Sequence, residues 1–333
     1  MKRIISYAAI VMLALVFAAP AQAIIKKTAQ TGLQFLKADM SARSAGMGGA
    51  FVMAGNDATA MFYNPAGIAY VQSGGDAFAT MTQWIAGITY NAAGLVYSLG
   101  QLGTVGVNVI SADYGDDIIG TEVTADGYKE TGSLDVSALS VGAVYARRLT
   151  DKFILGGQVR YAYQHLGSST IPTATAGVNE EIENKVTGLA YEIGTIFYPG
   201  LFNSLRLGMG VKNFSPQFKY QDEAFQLPLT FVMGFAVDVF DVLGMGGSNS
   251  LLVALDAIHP RDYTERIHLG AEFLFLDMVA LRGGYKFNYD IESFSLGGGV
   301  KLALGGFALK VDAAYSIIED FDNVMRFTVG ASF

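Results

Sequence analysis

The charged residues of this chain recur at alternate positions of segments whose other positions carry large apolar side chains. The set comprises Arg160, Glu192, Arg206, Lys212, Asp238, Asp256, Glu272, Arg282, Lys286, Lys301, Lys310, Asp312 and Arg326. Side chains of this kind in one enclosed space either select a charged solute or pair with one another. A selective lining tends toward one sign, whereas this set mixes cations with carboxylates. We therefore predict a network of ion pairs that fills the enclosed space.

A second group of carboxylates lies in one short stretch. Asp113, Asp116 and Asp117 offer the hard oxygen donors that divalent cations prefer. Their spacing differs from that of an EF-hand loop, so a solvated acidic loop is the favoured interpretation. The net charge of the chain is -8, and acids crowd the stretch from Asp113 to Glu130. Such a charge distribution argues against nucleic acid as a partner.

The remaining motifs predict neither an enzyme nor a cofactor or metal site. Gly46-Met-Gly-Gly49 lacks the Lys-Ser/Thr of a phosphate-binding loop, which favours close packing as its role. The three histidines show no metal-ligand spacing: His165, His259 and His268. His268 shares the predicted charged face with Glu272, where ordinary hydrogen bonding is expected. The chain has no Gly-x-Ser-x-Gly or His-Glu-x-x-His motif and no cysteine.

The elements that must position these charges are strands, because polar and apolar residues alternate with a period of two. Leu155, Val159 and Tyr161 share one face of a segment whose other face carries Gln158 and Arg160. Segments of this kind recur, and about ten residues cross a bilayer when a strand is tilted. We predict an all-β fold, a transmembrane antiparallel β-barrel of about 14 strands, from about Asp76 to Phe333. Its last strand pairs with its first, so that no backbone edge meets lipid.

Alternation alone also fits a soluble β-sandwich, so further features decide for the membrane. Residues 1–23 have the basic start, apolar run and Ala-Gln-Ala ending of a secretory signal peptide. Cleavage is expected after Ala23. Export together with the predicted barrel gives an outer-membrane localisation. No later run of 18 apolar residues occurs, which excludes a helical membrane protein. Tyr and Phe near the strand ends are typical of an aromatic girdle.

The links between the predicted strands alternate in length. Short links are predicted near Gly100, Thr150, Pro199, Leu276 and Gly305, with a moderate one near Gly244. Long links are predicted from Gly115 to Thr131, Leu166 to Lys185 and Ser215 to Ala224. Short periplasmic turns and long outer loops are typical of outer-membrane barrels.

Residues 24–72 differ from the barrel, which we assign to residues 73–333. They do not alternate, and residues 38–69 are rich in Ala, Gly, Ser and Met. Asn56 or Asp57 is expected to cap one short helix, and Asn64 a second with Pro65 at its first turn. A segment of this composition cannot lie in lipid, so we predict a plug, or hatch, inside the barrel. Its structural motif is Asn64, Pro65, Ala66 and Gly67.

Three stretches of this segment resemble the opening of the PorV/PorQ family: Ala-Arg-Ser-Ala-Gly-Met-Gly-Gly-Ala-Phe-Val at 42–52, Asp-Ala-Thr-Ala at 57–60 and Asn-Pro-Ala-Gly-Ile-Ala at 64–69. The similarity continues at 103–109, at 145–152 and in the last forty residues, so it covers nearly the whole mature chain. The Asn-Pro-Ala element also resembles the hatch of FadL-type channels. The resemblance implies a FadL-like barrel that serves type IX secretion, where such proteins receive exported cargo and deliver it for attachment at the cell surface.

Two functions follow as hypotheses. The first is an interaction protein of the outer membrane, whose partners are lipid, secreted cargo proteins and other secretion components. The alternative is a FadL-like transporter of hydrophobic small molecules. It needs an apolar pocket and a gap in the wall, for which Gly103 and Gly106 near the third strand are candidates. A general porin fits poorly, because a plug blocks the lumen.

Overall fold

A computed structural model describes residues 31–72, 74–115, 118–124, 127–172, 179–221, 223–245 and 247–333. The predicted signal peptide and its cleavage site lie outside the described residues, as do Asp116 and Asp117 of the acidic loop. Within these ranges no helix is long and apolar enough to span a membrane.

The strands, in chain order, are β1 (Gly75–Gln83), β2 (Thr89–Ser98), β3 (Thr104–Asp113), β4 (Ile119–Thr124), β5 (Gly127–Ser133), β6 (Val136–Thr150), β7 (Phe153–Pro172), β8 (Asn179–Phe197), β9 (Arg206–Phe214), β10 (Phe218–Lys219), β11 (Ala224–Phe225), β12 (Thr230–Asp238), β13 (Ser250–Pro260), β14 (Arg266–Phe275), β15 (Val279–Phe287), β16 (Glu292–Leu304), β17 (Phe307–Ile318) and β18 (Val324–Ser332). All except β4, β5, β10 and β11 form one closed antiparallel barrel of 14 strands. β1 pairs with β18, from Asp76 opposite Ser332 to Gln83 opposite Met325. The predicted barrel and its closure are confirmed.

The helices are short. Among the described residues two are α-helical, Ala42–Gly46 and Val239–Leu243, and five are 3-10 helices: Gln34–Lys37, Ala58–Phe62, Pro65–Tyr70, Ile85–Gly87 and Gly100–Leu102.

The two ends of the barrel differ in their links. At the end that holds Gly75 and Ser332, here called the turn end, the links are residues 99–103, 151–152, 198–205, 239–249, 276–278 and 305–306. The opposite end, here called the outer end, carries the hairpins β4–β5 and β10–β11. Because outer-membrane barrels keep their short turns in the periplasm, the outer end faces the outside of the cell.

One predicted long link is wrong. Between Leu166 and Lys185 the chain is largely strand, since β7 and β8 stay paired up to Pro172 opposite Asn179. The first residue of the neighbouring strand β6, Val136, lies opposite Leu166, so the β7–β8 hairpin continues beyond the wall. Outside lipid its outward face needs no large apolar residues, and for that reason the alternation fades although the strands continue.

The wall has an apolar outer face and a polar inner face. In β7 the side chains of Leu155, Val159 and Tyr161 are exposed, whereas Gln158 and Arg160 are buried. Exposed aromatic residues gather toward both ends: Tyr97, Tyr145, Phe197, Phe275, Phe307 and Phe333 at the turn end, and Phe214, Phe231, Phe287, Phe294 and Phe321 at the outer end. Two aromatic bands around an apolar belt are typical of a barrel that spans a bilayer.

Residues 31–72, here called the N-terminal segment, pack against the inner face of the wall. The helix Ala42–Gly46 contacts β15, β16, β17 and β18, whereas Pro65–Tyr70 contacts β3, β6, β7 and β8. These two sets of strands lie on different sides of the barrel. Phe51, Met61 and Ile68 are fully buried between them. The segment therefore contacts strands on both sides of the barrel.

Glycines in the wall permit this close packing. A Cβ atom on Gly284 would lie 2.1 Å from the backbone nitrogen of Gly48, and one on Gly156 would lie 2.4 Å from the backbone nitrogen of Ala66. Their chain neighbours point outward, and a Cβ on Gly283 would meet only the side chain of Leu296, at 3.9 Å. Inward glycines thus let the backbone of the N-terminal segment touch the backbone of the wall.

The paired glycines of β15 give a matched test. Gly284→Ala should lower the free energy of unfolding by about 1–3 kcal/mol, because the added methyl group overlaps the backbone of the N-terminal segment. Gly283→Ala, one residue away on the lipid face, should leave it within about 0.5 kcal/mol of the parent. Urea titration of the refolded barrel, followed by the mobility shift between folded and unfolded bands, measures both. Equal effects of the two substitutions would contradict the packing described here.

Candidate functional site

Two capping residues shape the N-terminal segment beside the wall. The Asp57 carboxylate accepts a hydrogen bond from the backbone nitrogen of Thr59 at 3.0 Å. Asn64 accepts one from the backbone nitrogen of Ala66 at 3.1 Å, and its own Nδ2 donates to the carbonyl of Thr195 in β8 at 3.1 Å. The element that begins at Asn64 is therefore held by the barrel as well as by its own cap.

A cluster of ion pairs joins the N-terminal segment to β1, β14, β15 and β17. Its members, here called the charge cluster, are Arg43, Asp57, Asp76, Glu272, Arg282, Lys310 and Asp312. Arg43 binds both oxygens of Glu272, with Nε to Oε2 at 2.8 Å and Nη2 to Oε1 at 2.7 Å. Arg282 bridges Glu272 at 2.6 Å and Asp312 at 2.5 Å. Bidentate pairing of this kind fixes geometry as well as charge.

Lys310 links the same cluster to the start of the barrel. Its Nζ lies 2.7 Å from Asp76 Oδ2 and 3.7 Å from Asp57 Oδ2. The other oxygen of Asp76 accepts a hydrogen bond from the backbone nitrogen of Ala58 at 2.9 Å. A wall carboxylate therefore satisfies a donor at the first turn of a short helix in the N-terminal segment.

Two further predicted cations have carboxylate partners inside the barrel. Arg160 lies 3.4 Å from Glu192, and both residues are buried. Lys286 pairs with Glu292 at the start of β16.

Other predicted charges contact aromatic rings or backbone of the N-terminal segment. Arg206 lies over the ring of Tyr70 at 5.5 Å, and Lys212 lies over Tyr63 at 5.7 Å. Such stacking holds a cation without a carboxylate.

Arg326 and Asp256 bind main-chain groups instead. Arg326 Nε donates to the carbonyl of Asp39 at 3.1 Å, and the Asp256 carboxylate accepts from the backbone nitrogen of Val52 at 2.9 Å. The inner charges thus act mainly as anchors of the N-terminal segment.

Asp238 and Lys301 do not belong to the predicted network of ion pairs. Asp238 ends β12 and caps the helix Val239–Leu243, accepting from the backbone nitrogen of Phe240 at 2.9 Å. Lys301 pairs with Asp277 at 2.8 Å, and its side chain is 39% exposed. Both residues occupy inward positions by strand alternation, but their strands have already reached the turn end.

The histidines carry no shared site. His268 Nε2 lies 2.7 Å from the hydroxyl of Tyr289. His259 lies 3.1 Å from Glu265 on the exposed surface.

A cavity of about 550 Å³, here called the outer cavity, lies at the outer end above the N-terminal segment. Its floor includes Leu36, Val52 and Tyr63, and its rim includes the exposed residues Gln34 and Asp290. The volume falls within the range of small-molecule sites, roughly 300–1,000 Å³.

The start of the described chain is tied to one side of this cavity. Lys37 Nζ lies 3.0 Å from Asp262 Oδ2, which also accepts from Thr31 at 2.8 Å and Gln34 at 3.1 Å. Burial by itself would raise the pKa of Asp262, but the hydrogen bond and charge of Lys37, with the hydrogen bonds from Thr31 and Gln34, hold that pKa below its usual value. The carboxylate is therefore charged at neutral pH and fixes residues 31–37 at the outer end.

The third strand shows no gap. β3 pairs along its whole length with β2 and with β6, and Gly106 lies opposite Val96 and Val144 in regular register. Gly106, a candidate for a gap under the alternative function, instead makes room for the side chain of Met61 on the inner face.

Sequence reasoning missed the hub of the charge cluster. Arg43 lies in the N-terminal segment, where no alternation marks inward residues. Asp76 and Asp262 were not singled out either. The available signal for Asp76 was its place at the first inward position of β1, opposite Ser332.

A closed barrel with an apolar belt, aromatic bands and a polar lumen defines an outer-membrane β-barrel protein. The family model described as Type IX secretion system protein PorV matches residues 21–243, and the chain belongs to this family.

Solved structures share the fold. The CymD monoaromatic hydrocarbon channel is 13% identical with a TM-score of 0.58, covering 88% of this chain and 97% of the channel. The Pseudomonas putida toluene transporter TodX is 10% identical with a TM-score of 0.55, covering 92% and 99%. A Pseudomonas aeruginosa FadL homologue is 11% identical with a TM-score of 0.55, covering 93% and 99%. None of the curated proteins matches this chain.

Substitution of Arg43 should lower the stability of the folded barrel. Arg43→Gln leaves part of the buried charge on Glu272 without its bidentate partner, so the free energy of unfolding should fall by about 3–5 kcal/mol. The matched control is Lys301→Gln, which breaks the exposed pair with Asp277 and should change it by less than about 1 kcal/mol. Urea titration of both variants gives the comparison. A loss for Arg43→Gln no larger than for Lys301→Gln would show that the charge cluster does not hold the N-terminal segment.

Proposed function

We propose that this chain serves type IX secretion as an outer-membrane interaction protein, which receives secreted proteins at its outer end and passes them on for surface attachment. The observation that carries the proposal is the PorV family match over residues 21–243. This stretch contains the N-terminal segment and the strands up to β12, with the longest links of the outer end.

The lumen supports an interaction role over passage of polypeptide. The N-terminal segment touches strands on different sides of the barrel and is anchored by buried ion pairs. A chain in transit would have to displace these contacts. Secreted proteins would therefore bind at the surface of the barrel, and the outer end offers the hairpin β4–β5 and the extended pair β7–β8 for this purpose.

The exposed character of the β4–β5 hairpin favours it as a contact surface. Every residue of β5 is exposed, including Tyr128, Lys129 and Glu130. Tyrosine is enriched at protein interfaces because it combines a large ring with a hydroxyl group.

A second candidate function, uptake of hydrophobic small molecules, rests on the outer cavity and the fold shared with hydrocarbon channels. Leu36, Val232 and Ile258 supply an apolar part of the cavity lining. The continuous pairing of β3 weighs against lateral exit at that strand.

Purification of the tagged chain from its own outer membrane should recover secreted proteins or secretion components. Replacing residues 118–133 by a short Gly-Ser link should reduce this recovery at least about tenfold, since a lost interface hot spot costs more than about 1.4 kcal/mol. Lys301→Gln, an exposed change at the turn end, serves as the matched control. Mass spectrometry of the eluates quantifies each partner. Background proteins alone in the parent eluate would overturn the interaction role, and full recovery by the shortened variant would remove the hairpin from it.

Uptake measurements separate the second candidate from the first. Under the proposed function, a strain lacking the chain should take up a labelled alkylbenzene at the same rate as the complemented strain. Under the transport function, uptake should fall on deletion and should fall equally with Val232→Trp, which fills the outer cavity. Met233→Trp, on the adjacent lipid-facing position, is the control that should retain uptake. Lower uptake in both the deletion strain and the Val232→Trp strain would favour transport.

A further inference from the structure

The outer cavity carries more cations than its carboxylates balance. Five cationic side chains line it: Lys37, Lys212, Arg266, Lys286 and Arg326. The carboxylates of the lining are Asp39, Asp290 and Glu292. Lys37 and Lys286 have carboxylate partners, Asp262 and Glu292. Within the part of the chain that the structure describes, Lys212, Arg266 and Arg326 have no carboxylate oxygen within 4.0 Å.

Arg266 is the most distinctive of the three. Its guanidinium contacts two aromatic rings, at 4.3 Å from the ring centre of Tyr263 and 3.9 Å from that of Tyr289. These two ring contacts and a hydrogen bond with the Tyr289 side chain hold the guanidinium in place, and its remaining N–H donors are available to a ligand. Its buried Nε has no hydrogen-bond partner among the described residues. A planar donor edge held in this way suits a carboxylate or phosphate oxygen pair.

The carboxylates in the lining are already engaged or lie at the rim. Asp39 accepts hydrogen bonds from the Tyr63 hydroxyl and from Ser44. Glu292 is held by Lys286, and Asp290 is exposed. None of these three lies within 4.0 Å of Arg266 as an ion pair.

From this geometry we propose that the outer cavity binds a small organic anion, a carboxylate or a phosphate on an apolar or aromatic body, with Arg266 as its principal anion-binding residue. Lys212, stacked on Tyr63, is the second cation of the site. The apolar lining of Leu36, Val232 and Ile258 accommodates the body of the ligand. This binding site is independent of the proposed role in secretion.

The chain contains its own reporter for such binding. Trp84 is the single tryptophan of the sequence, and it lines the outer cavity. Its ring lies 5.3 Å from the Arg326 guanidinium and 6.1 Å from the ring of Tyr90. Tryptophan fluorescence of the full-length protein therefore reports on this cavity alone.

The test is a fluorescence titration of the full chain in dodecyl maltoside with 3-phenylpropanoate, phenyl phosphate and the neutral 3-phenylpropan-1-ol. At least one anion should change Trp84 fluorescence saturably and bind roughly tenfold or more tighter than the alcohol, because a charge-assisted hydrogen bond to Arg266 is lost in the neutral compound. The two anions distinguish a carboxylate site from a phosphate site. Equal affinity for the anions and the alcohol, or no saturable change with either anion, would overturn the proposal.

Arg266→Gln should weaken anion binding roughly tenfold and leave the alcohol unaffected. The control is Arg148→Gln, because Arg148 is also stacked on a tyrosine, Tyr198 at 5.6 Å, but lies at the turn end. This control should bind as the parent does. The gel mobility of the folded barrel verifies each variant, and Lys212→Met provides a second cation removal with the same expected direction. Anion affinity unchanged in both Arg266→Gln and Lys212→Met would refute the assigned site.

Discussion

The constraint on which the rest of this structure depends is that lipid supplies no hydrogen-bond partners to the backbone. Each wall strand must therefore be paired on both sides, and the pairing of β1 with β18 removes the last free edges. Because the wall is fixed by this requirement, its side chains divide into only two classes. Those that face lipid must be apolar, and polar or charged side chains lie on the inner face or at the two ends.

The inward face shows how this variety is used. Where the N-terminal segment touches the wall most closely, the wall residue is glycine, as at Gly156 and Gly284. Where the segment offers unpaired backbone donors, the wall supplies carboxylates, as Asp76 does for Ala58 and Asp256 for Val52. The inward glycines and the inward carboxylates of the wall thus serve the same purpose, which is to hold the N-terminal segment. Both let a non-periodic segment pack closely against the wall, with backbone donors such as those of Ala58 and Val52 satisfied.

The sequence allowed the strand number and the closure to be predicted, because a period of two leaves little ambiguity about which residues face lipid. It did not allow height along the barrel to be predicted, and for that reason Lys301 and Asp238 were wrongly placed in the luminal network. The role of Arg43 could not be predicted, since the N-terminal segment shows no alternation that would mark which of its side chains face the wall. The outer cavity was equally hidden. It is assembled from loop residues such as Tyr289 and from strand ends such as Arg266, which converge only after the barrel closes.

The difference between the two ends bears on function more than the shared fold does. At the turn end the links are short and the N-terminal segment binds them directly, as in the hydrogen bond between Tyr70 and Tyr198. At the outer end two hairpins and an extended strand pair project, and a cavity with stacked cations remains open. A purely hydrophobic solute could not accept a charge-assisted hydrogen bond from Arg266, which lies half-buried against two tyrosine rings in the cavity lining. The lining of the cavity therefore departs from what a hydrocarbon passage needs, although the barrel around it has the same fold as hydrocarbon channels.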